Sequence, residues 1–234
     1  MLGLPDDIQG LLFDLDGVLT KTATVHAKAW KQMFDKYLEE RDGDGFTPFD
    51  LHHDYDEHVD GKPREDGVRD FLRSRGIDPD PALVKRLGDE KNDLVTQIIE
   101  RDGVEVYDGS VRYVHRAKDA GLKLAVVSSS ANAKPVLESV GLLDLFDHVV
   151  DGHAVAEDGL KGKPAPDTFL EGARRLGVEP AHAAVFEDAL AGVEAGRAGD
   201  FGCVVGVDRV GQAQALQEHG ASTVVQDLDE LLHA

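Results

Sequence analysis

Short apolar runs alternate with segments of helical spacing along the second half of the chain. The runs are LKLAVVSSS (122–130), AAVFED (183–188), FGCVVGVD (201–208) and STVVQDL (222–228). Helical patterns follow the first three of them, near 134–140, 191–199 and 212–219. Nearly continuous apolar strands that alternate with helices indicate a parallel sheet covered on both faces. GLLFDLD (10–16) fits as a further strand, so the pattern predicts an α/β fold with a doubly wound parallel sheet.

Residues from about 23 to 104 carry a different pattern, with apolar positions at helical spacing and no convincing strand. Three stripes have the spacing of an amphipathic helix face. Their members are Trp30, Met33, Phe34, Tyr37 and Leu38, then Val68, Phe71 and Leu72, then Leu83, Leu87, Leu94 and Ile98. We therefore expect a discontinuous α/β core at 1–22 and 105–234, with a helical cap domain inserted at 23–104.

The third stripe contains a charged residue, because Lys91 shares the helix face of Leu87 and Leu94. The pattern by itself favours a lysine that lies along apolar surface and keeps its ammonium group in water. The alternative is a cation that points from the insertion toward an anion.

The chain is strongly acidic, with a formal net charge of −20. Such a charge argues against a nucleic-acid partner or an anionic membrane surface. It also means that a phosphate site must be built locally, from a metal ion, backbone N–H groups and a few lysines or arginines.

The cysteine content and the N-terminal segment indicate the cellular compartment in which the protein is expected to work. Cys203 is the only cysteine, lies in an apolar run and is expected to be a small buried hydrophobe. A single cysteine forms no internal disulfide, which fits a reducing cytosol. MLGLPDDIQG has no basic region followed by an apolar core, and no apolar run approaches the roughly 18 residues of a membrane span. We expect a soluble, cytoplasmic protein.

Polar groups follow three of the predicted strands. Asp14 and Asp16 end the first, Ser128, Ser129 and Ser130 end another, and Glu187 and Asp188 end a third. In doubly wound sheets, ligands bind beyond the carboxyl ends of the strands. One acidic strand end can arise by chance, since Asp often starts a turn, but two acidic ends and a serine-rich one are harder to dismiss.

These side chains offer the chemistry of phosphoryl transfer. Asp14, Asp16, Glu187 and Asp188 supply the hard oxygen ligands that Mg²⁺ prefers, and no EF-hand-like loop favours calcium. Asp14 is then expected to act as the nucleophile that forms an aspartyl-phosphate, with Asp16 as general acid and base. Ser128 and nearby backbone N–H groups are expected to bind phosphate oxygens, and Lys163 to supply a point charge.

Four motifs carry a resemblance to a known superfamily. DLDGVLT, the SSS strand end, KPAPD and the FED strand end look like the motifs of the haloacid dehalogenase superfamily, over nearly the whole chain. The resemblance implies a Rossmann-like core, bound Mg²⁺, a phosphoenzyme at Asp14 and a mobile helical cap inserted after the first motif.

More locally, the chain resembles the β-phosphoglucomutase family. DGVLTKTATVHAKAW matches the start of that family, DGKPRED its cap loop, EKND its cap lysine and SSSANA its phosphate loop. The resemblance implies that Arg64 binds the distal phosphate of a sugar bisphosphate, and that His26 and Lys91 orient hydroxyl groups and control cap closure. That reading replaces the water-exposed position first favoured for Lys91. The implied substrate-binding residues are Thr22, His26, Gly61, Arg64, Lys91, Ser128, Ser129, Asn132 and Lys163.

Two positions depart from the mutase pattern. Asp60 stands where that family usually has lysine, and Lys21 stands where it usually has an acidic residue. One cation is lost and another gained near the site, which bears on substrate choice or cap gating and leaves the phosphoryl chemistry unchanged.

The leading hypothesis is a magnesium-dependent phosphosugar mutase that interconverts β-glucose 1-phosphate and glucose 6-phosphate through glucose 1,6-bisphosphate. The alternative within the superfamily is a phosphatase of small phosphosugars, in which water attacks the aspartyl-phosphate. A receiver-type signalling domain and a non-catalytic binding protein are hypotheses from other classes. The expected ligand is a small phosphorylated sugar, without nucleic-acid or membrane partners. The oligomeric state stays open, a monomer included.

Overall fold

A computed structural model describes residues 2–233, and its centre is a six-stranded parallel sheet. The strand order is β3-β2-β1-β4-β5-β6, the order of Rossmann-type sheets. The strands are β1 Gly10–Phe13, β2 Lys123–Val127, β3 His148–Val150, β4 Ala183–Glu187, β5 Cys203–Val207 and β6 Thr223–Val225. The predicted α/β fold with a doubly wound parallel sheet is therefore confirmed.

Helices cover both faces of the sheet and form a separate layer above it. They are α1 Ala23–Asp42, α2 Arg64–Ser74, α3 Pro81–Asp102, α4 Asp108–Asp119, α5 Ala133–Ser139, α6 Gly152–Glu157, α7 Asp167–Leu176, α8 Leu190–Ala198 and α9 Ala213–His219. Successive side chains of β1 enter different cores: Leu11 and Phe13 pack against α4 and α5, while Leu12 packs against α7. This alternation explains why the strands read as continuous apolar runs.

The helices α1, α2 and α3 build a hydrophobic core of their own. It contains Trp30, Phe34, Phe71 and Leu87, with the rings of Phe34 and Phe71 4.0 Å apart at their centroids. The three helices that the stripes predicted are present. A separate core is what an inserted cap requires, and the division at 22/23 and 104/105 remains a prediction.

Two chain segments connect this helical layer to the sheet, and they pair with each other. Thr20 forms isolated β-bridges with both Asp16 and Val106. The Lys21 N–H donates to the Glu105 carbonyl at 2.8 Å, and the Tyr107 N–H donates to the Leu19 carbonyl at 3.0 Å. The side chains of Lys21 and Glu105 also form a 2.7 Å ion pair. The departure at Lys21 thus lies in the paired connections between the two layers.

The structure adds elements that the pattern did not reveal and shows which side of one predicted helix is buried. β3, α4, α6 and α7 were not predicted, since β3 is only three residues long and the helices were not marked by clear stripes. In α3 the buried residues are Val84, Leu87, Gly88, Lys91 and Val95. Leu87 and Lys91 of the predicted face are therefore buried, while Leu83 and Leu94 are partly buried at its margin. Among the described residues, no helix is long and apolar enough to cross a membrane.

Candidate active site

The strand order brings the predicted polar strand ends together. β1 pairs with β2 on one side and with β4 on the other, and Phe13 is in register with both Val126 and Phe186. Asp14 follows β1, Ser128 follows β2, and Glu187 ends β4. These side chains therefore meet at the carboxyl edge where the strand order reverses, the usual ligand position in such sheets.

A group of three carboxylates lies at this edge. One oxygen each from Asp14, Glu187 and Asp188 lies within 4.8 Å of the others, and all three residues are buried. The Lys163 ammonium is 2.5 Å from Asp14 Oδ1 and 2.5 Å from Glu187 Oε1. Burial lowers the pKa of Lys163, but the two carboxylates outweigh this and raise it, so the lysine stays charged. Burial raises the pKa of Asp14 well above its usual value, although Lys163 opposes the shift.

Among these three carboxylates, Asp188 is the one whose negative charge has no cation close by in the described part of the chain. No hydrogen bond to its side-chain oxygens is formed by any residue within 2–233, and burial together with the charges of Asp60 and Glu187 raises its pKa well above the usual value. Gly17 makes room for it, because a Cβ there would lie 1.7 Å from Asp188 Oδ2, at a backbone φ of +93°. Three buried carboxylates and one ammonium group fit a hard divalent cation held by Asp14, Glu187 and Asp188.

The structure places the Asp16 carboxylate outside this group. It accepts hydrogen bonds from Thr22 Oγ1 and from Ser128 Oγ at 3.5 Å, and His26 Nε2 lies 3.3 Å away. Burial raises the pKa of Asp16, but His26 and Thr22 outweigh it and bring it down to about 2. The three-carboxylate group does not include Asp16, and the role of Asp16 as a metal ligand stays a prediction. β1 has ended by residue 13, and the turn that Gly17 N–H closes on the Thr20 carbonyl directs Asp16 toward the cap.

Lys91 is a buried cation that points from the cap toward the core. Lys91 is only 5% exposed. Its ammonium group lies 4.7 Å from the centroid of the Trp30 ring and 2.7 Å from His26 Nδ1. The interpretation that left this ammonium in water is wrong. Burial lowers its pKa to about 7, although the charge of Asp16 opposes the shift. His26 thus bridges a cap lysine to the carboxylate of Asp16.

We expect Lys91→Met to be more stable than the wild type at pH 7, by on the order of a few kcal/mol, and to lose activity. Because the pKa of Lys91 falls from 10.5 to about 7 on folding, the unfolded state binds more protons between these values. Wild-type stability from this group therefore rises with pH across that window, and the advantage of the variant shrinks toward pH 10. Urea denaturation at several pH values measures it, and a constant difference would contradict the assigned burial cost.

Other predicted substrate residues join the cap to the core. Ser129 Oγ donates to the Gly61 carbonyl at 2.8 Å, and Asn132 Nδ2 donates to Asn92 Oδ1 at 3.1 Å. Gly61 has a φ of +69°, and a Cβ there would lie 3.0 Å from the Ala189 side chain, so the cap loop sits directly on the core. Arg64 is 3.7 Å from Asp89 and packs over Gly88.

A cleft of about 1360 Å³ lies between cap and core. The predicted site residues that line it are Asp14, Asp16, His26, Gly61, Arg64, Lys91, Ser129, Asn132, Lys163 and Asp188. Thr22, Ser128 and Glu187 lie behind this lining and hold it through hydrogen bonds.

Several residues of the cleft were not predicted to act there. Trp30, Tyr55 and Asn92 line it, and Asn92 pairs with Asn132 from the opposite side. Its place directly after Lys91 in EKND was the available signal. Asp60, noted only as a departure, also faces the cleft, and burial with the charge of Glu187 raises its pKa to about 7.

The site and fold agree with a family comparison. The family model of haloacid dehalogenase-like hydrolases matches residues 8–200. The chain belongs to this family, which confirms the resemblance predicted from the four motifs.

Individual relatives narrow the comparison. A β-phosphoglucomutase of Mycobacterium bovis is 53% identical, over 99% of this chain and 94% of the relative. A crystal structure of the β-phosphoglucomutase of Clostridium difficile has a TM-score of 0.79 and 28% identity, over 96% of this chain and 93% of that one. A fructose-1-phosphate phosphatase of Escherichia coli is 32% identical, over 83% of this chain and 94% of the relative. The chain is a phosphoryl-transfer enzyme, so the receiver-domain and binding-protein hypotheses are set aside.

Proposed function

We propose that the chain is a magnesium-dependent phosphosugar mutase that interconverts β-glucose 1-phosphate and glucose 6-phosphate through glucose 1,6-bisphosphate. The observation that supports this most directly is the cleft itself. The cap contributes the cations Arg64 and Lys91 to the same cavity that Asp14 and Asp16 line from the core. A simple phosphatase needs no cation on the cap for a second phosphate.

Asp14 is proposed as the nucleophile. Its Oδ1 is held by Lys163 at 2.5 Å, which leaves Oδ2 to attack phosphorus. The bond from phosphorus to the sugar oxygen breaks as the bond to Asp14 forms, and the departing oxygen takes a proton. Magnesium, when bound by Asp14, Glu187 and Asp188, supplies positive charge that offsets the repulsion between the carboxylate and the phosphate dianion.

Asp16 is proposed as the general acid and base. It takes a proton from the sugar hydroxyl group that attacks the aspartyl-phosphate, and it returns that proton to the sugar oxygen that departs when the other phosphate passes to Asp14. His26 donates to Asp16 and is hydrogen-bonded to Lys91, so a cap residue reaches this carboxylate. Its low pKa makes Asp16 a carboxylate before it receives the hydroxyl proton, which suits the base step.

Arg64 is proposed to bind the phosphate that is not being transferred. Its side chain is 35% exposed and lines the cleft, with a loose 3.7 Å contact to Asp89 that a phosphate can replace. Ser129, Asn132 and Gly61 lie where cap and core meet, and they are proposed to contact the sugar as the bisphosphate turns over.

The phosphatase remains the second candidate, supported by the similarity to the fructose-1-phosphate phosphatase. It uses the same residues of the core but lets water attack the aspartyl-phosphate. The two differ in how completely the closed cap excludes water.

The deciding experiment supplies β-glucose 1-phosphate with a trace of glucose 1,6-bisphosphate and Mg²⁺. Glucose 6-phosphate and free phosphate are then measured separately. A mutase produces mainly glucose 6-phosphate, and Arg64→Gln slows it while aryl phosphate turnover changes less. Free phosphate as the main product would overturn the mutase proposal in favour of the phosphatase.

A further inference from the structure

Arg209 lies in a hydrogen-bonded loop at the same edge of the sheet as the proposed catalytic carboxylates. The loop follows β5, and the Asp208 carboxylate accepts backbone hydrogen bonds from Gly211 at 2.7 Å and Gln212 at 2.8 Å. The Asp208 N–H in turn donates to the Val225 carbonyl at 2.7 Å. The side chain of Arg209 is only 13% exposed. The backbone of the Arg209 loop is therefore held firmly on the core.

The guanidinium group of Arg209 binds the segment that follows Asp16. Nε donates to the Gly17 carbonyl at 2.8 Å, and Nη2 donates to the Val18 carbonyl at 3.3 Å. Nη1 donates to the Gln226 carbonyl at 2.5 Å, which ties the group to the far edge of the sheet. Carbonyl groups of a turn have few other partners, so a planar, permanently charged donor is well suited to hold them.

Arg209 also contacts the second connection between core and cap. Its guanidinium lies 3.5 Å above the centroid of the Tyr107 ring. Tyr107 lies two residues after Glu105, and Glu105 forms the ion pair with Lys21 in the other segment that connects the cap to the core. One side chain of the core therefore contacts both segments that connect the cap to the core, close to Asp16.

We propose that Arg209 is a positioning residue that holds the Gly17–Val18 turn and thereby sets the place of the Asp16 carboxylate. This inference rests on the proposed role of Asp16 in proton transfer. Arg209 does not line the cleft, so its proposed action on catalysis is through the turn. Its loss lets the turn relax, so the proton transfer slows while binding of the sugar phosphate changes little.

The test separates steps that need Asp16 from a step that does not. A sugar leaves as a poor anion and needs the proton of Asp16, whereas p-nitrophenolate leaves without one. We expect Arg209→Gln to lower kcat for β-glucose 1-phosphate by roughly 10- to 100-fold with a small change in KM. The first-turnover burst of p-nitrophenolate from p-nitrophenyl phosphate should fall much less. Asp16→Asn should show the same difference between the two rates at its largest, because it removes the proton-transferring group itself. The kcat of Arg209→Lys should lie between those of the wild type and Arg209→Gln.

Arg175 provides a matched structural control. It is also a largely buried arginine of the core, 25% exposed, and it contacts Asp158 at 2.9 Å and the Val149 carbonyl at 3.3 Å. Arg175→Gln should leave the ratio of the two rates unchanged. Equal losses of both rates in Arg209→Gln, or the same pattern in Arg175→Gln, would overturn the proposal.

A measurement without substrate keeps this test apart from the proposed function. Amide hydrogen exchange in a peptide that spans residues 15–22 should be faster in Arg209→Gln and unchanged in Arg175→Gln. Unchanged exchange in Arg209→Gln would overturn the positioning role. If the wild type converts no sugar phosphate yet the exchange pattern is as expected, the proposed function fails and the hold of Arg209 on the turn stands.

Discussion

Replacing Asp14 with asparagine is expected to lower turnover by a factor on the order of 10⁴ or more. An amide does not form the acyl-phosphate bond, and the rest of the site offers no second nucleophile in the same place among the residues described. Asparagine has nearly the same shape and still accepts a hydrogen bond from Lys163, so the fold is expected to persist. The loss therefore reports chemistry rather than unfolding.

Two measurements check this result. The rate of sugar-phosphate conversion is compared with the mass of the protein after rapid acid quenching, which should show a phosphoryl adduct in the wild type and none in Asp14→Asn. Asp151→Asn is the control, because Asp151 is also a buried carboxylate at a strand end but caps α6 through the N–H groups of His153 and Ala154. Wild-type turnover in Asp14→Asn would remove the basis of the mechanism.

Lys163→Met is expected to cost about 3–5 kcal/mol of folding free energy as well as activity. The Lys163 side chain is fully buried between Asp14 and Glu187, whose side chains are 9% and 1% exposed. Methionine fills a similar volume but leaves two buried carboxylates without a cation. A divalent ion that binds the folded state should restore part of the loss.

The pH dependence of this loss has a definite sign. Burial raises the pKa of Asp14, and without Lys163 nothing opposes that shift as strongly, so the folded variant binds more protons than the unfolded chain. The variant therefore loses stability as pH rises through the window above the unfolded values, and the loss is smallest near pH 4. Urea denaturation at several pH values, with and without Mg²⁺, measures this.

Lys161 supplies the control for charge removal. It lies two positions earlier on the exposed surface, so Lys161→Met should change stability by no more than about 0.5 kcal/mol. Equal effects of the two substitutions, or a loss at Lys163 that grows toward acid pH, would contradict the role assigned to Lys163.

Much of the fold was readable from the sequence because it depends on local periodicity. Five of the strands and the helices α1, α2 and α3 follow directly from runs and stripes of apolar residues. Asp14, Ser128, Glu187 and Asp188 were also identifiable, since parallel strands bring their carboxyl ends to one edge whatever the rest of the chain does. The four motifs also identified the family to which the chain belongs.

Other features depend on pairs that lie far apart in the chain, and no local pattern reports them. Lys163 meets Asp14 across 149 positions, Lys91 meets His26 across 65, and Arg209 meets Gly17 across 192. Periodicity alone placed the Lys91 ammonium in water because it registers the helix face and not what covers that face. Similarly, the spacing of Asp14 and Asp16 does not report that the Asp16 side chain contacts Thr22 and His26.

The sequence by itself determined five of the six strands, where their polar ends meet and which carboxylate is the candidate nucleophile. Only the tertiary structure decided that Asp16 turns toward His26, that Lys91 is buried and that Arg209 contacts both Gly17 and Tyr107. The physical reason is that burial and charge pairing depend on the packing of distant segments, whereas hydrophobic period and strand-end chemistry are set by neighbours along the chain.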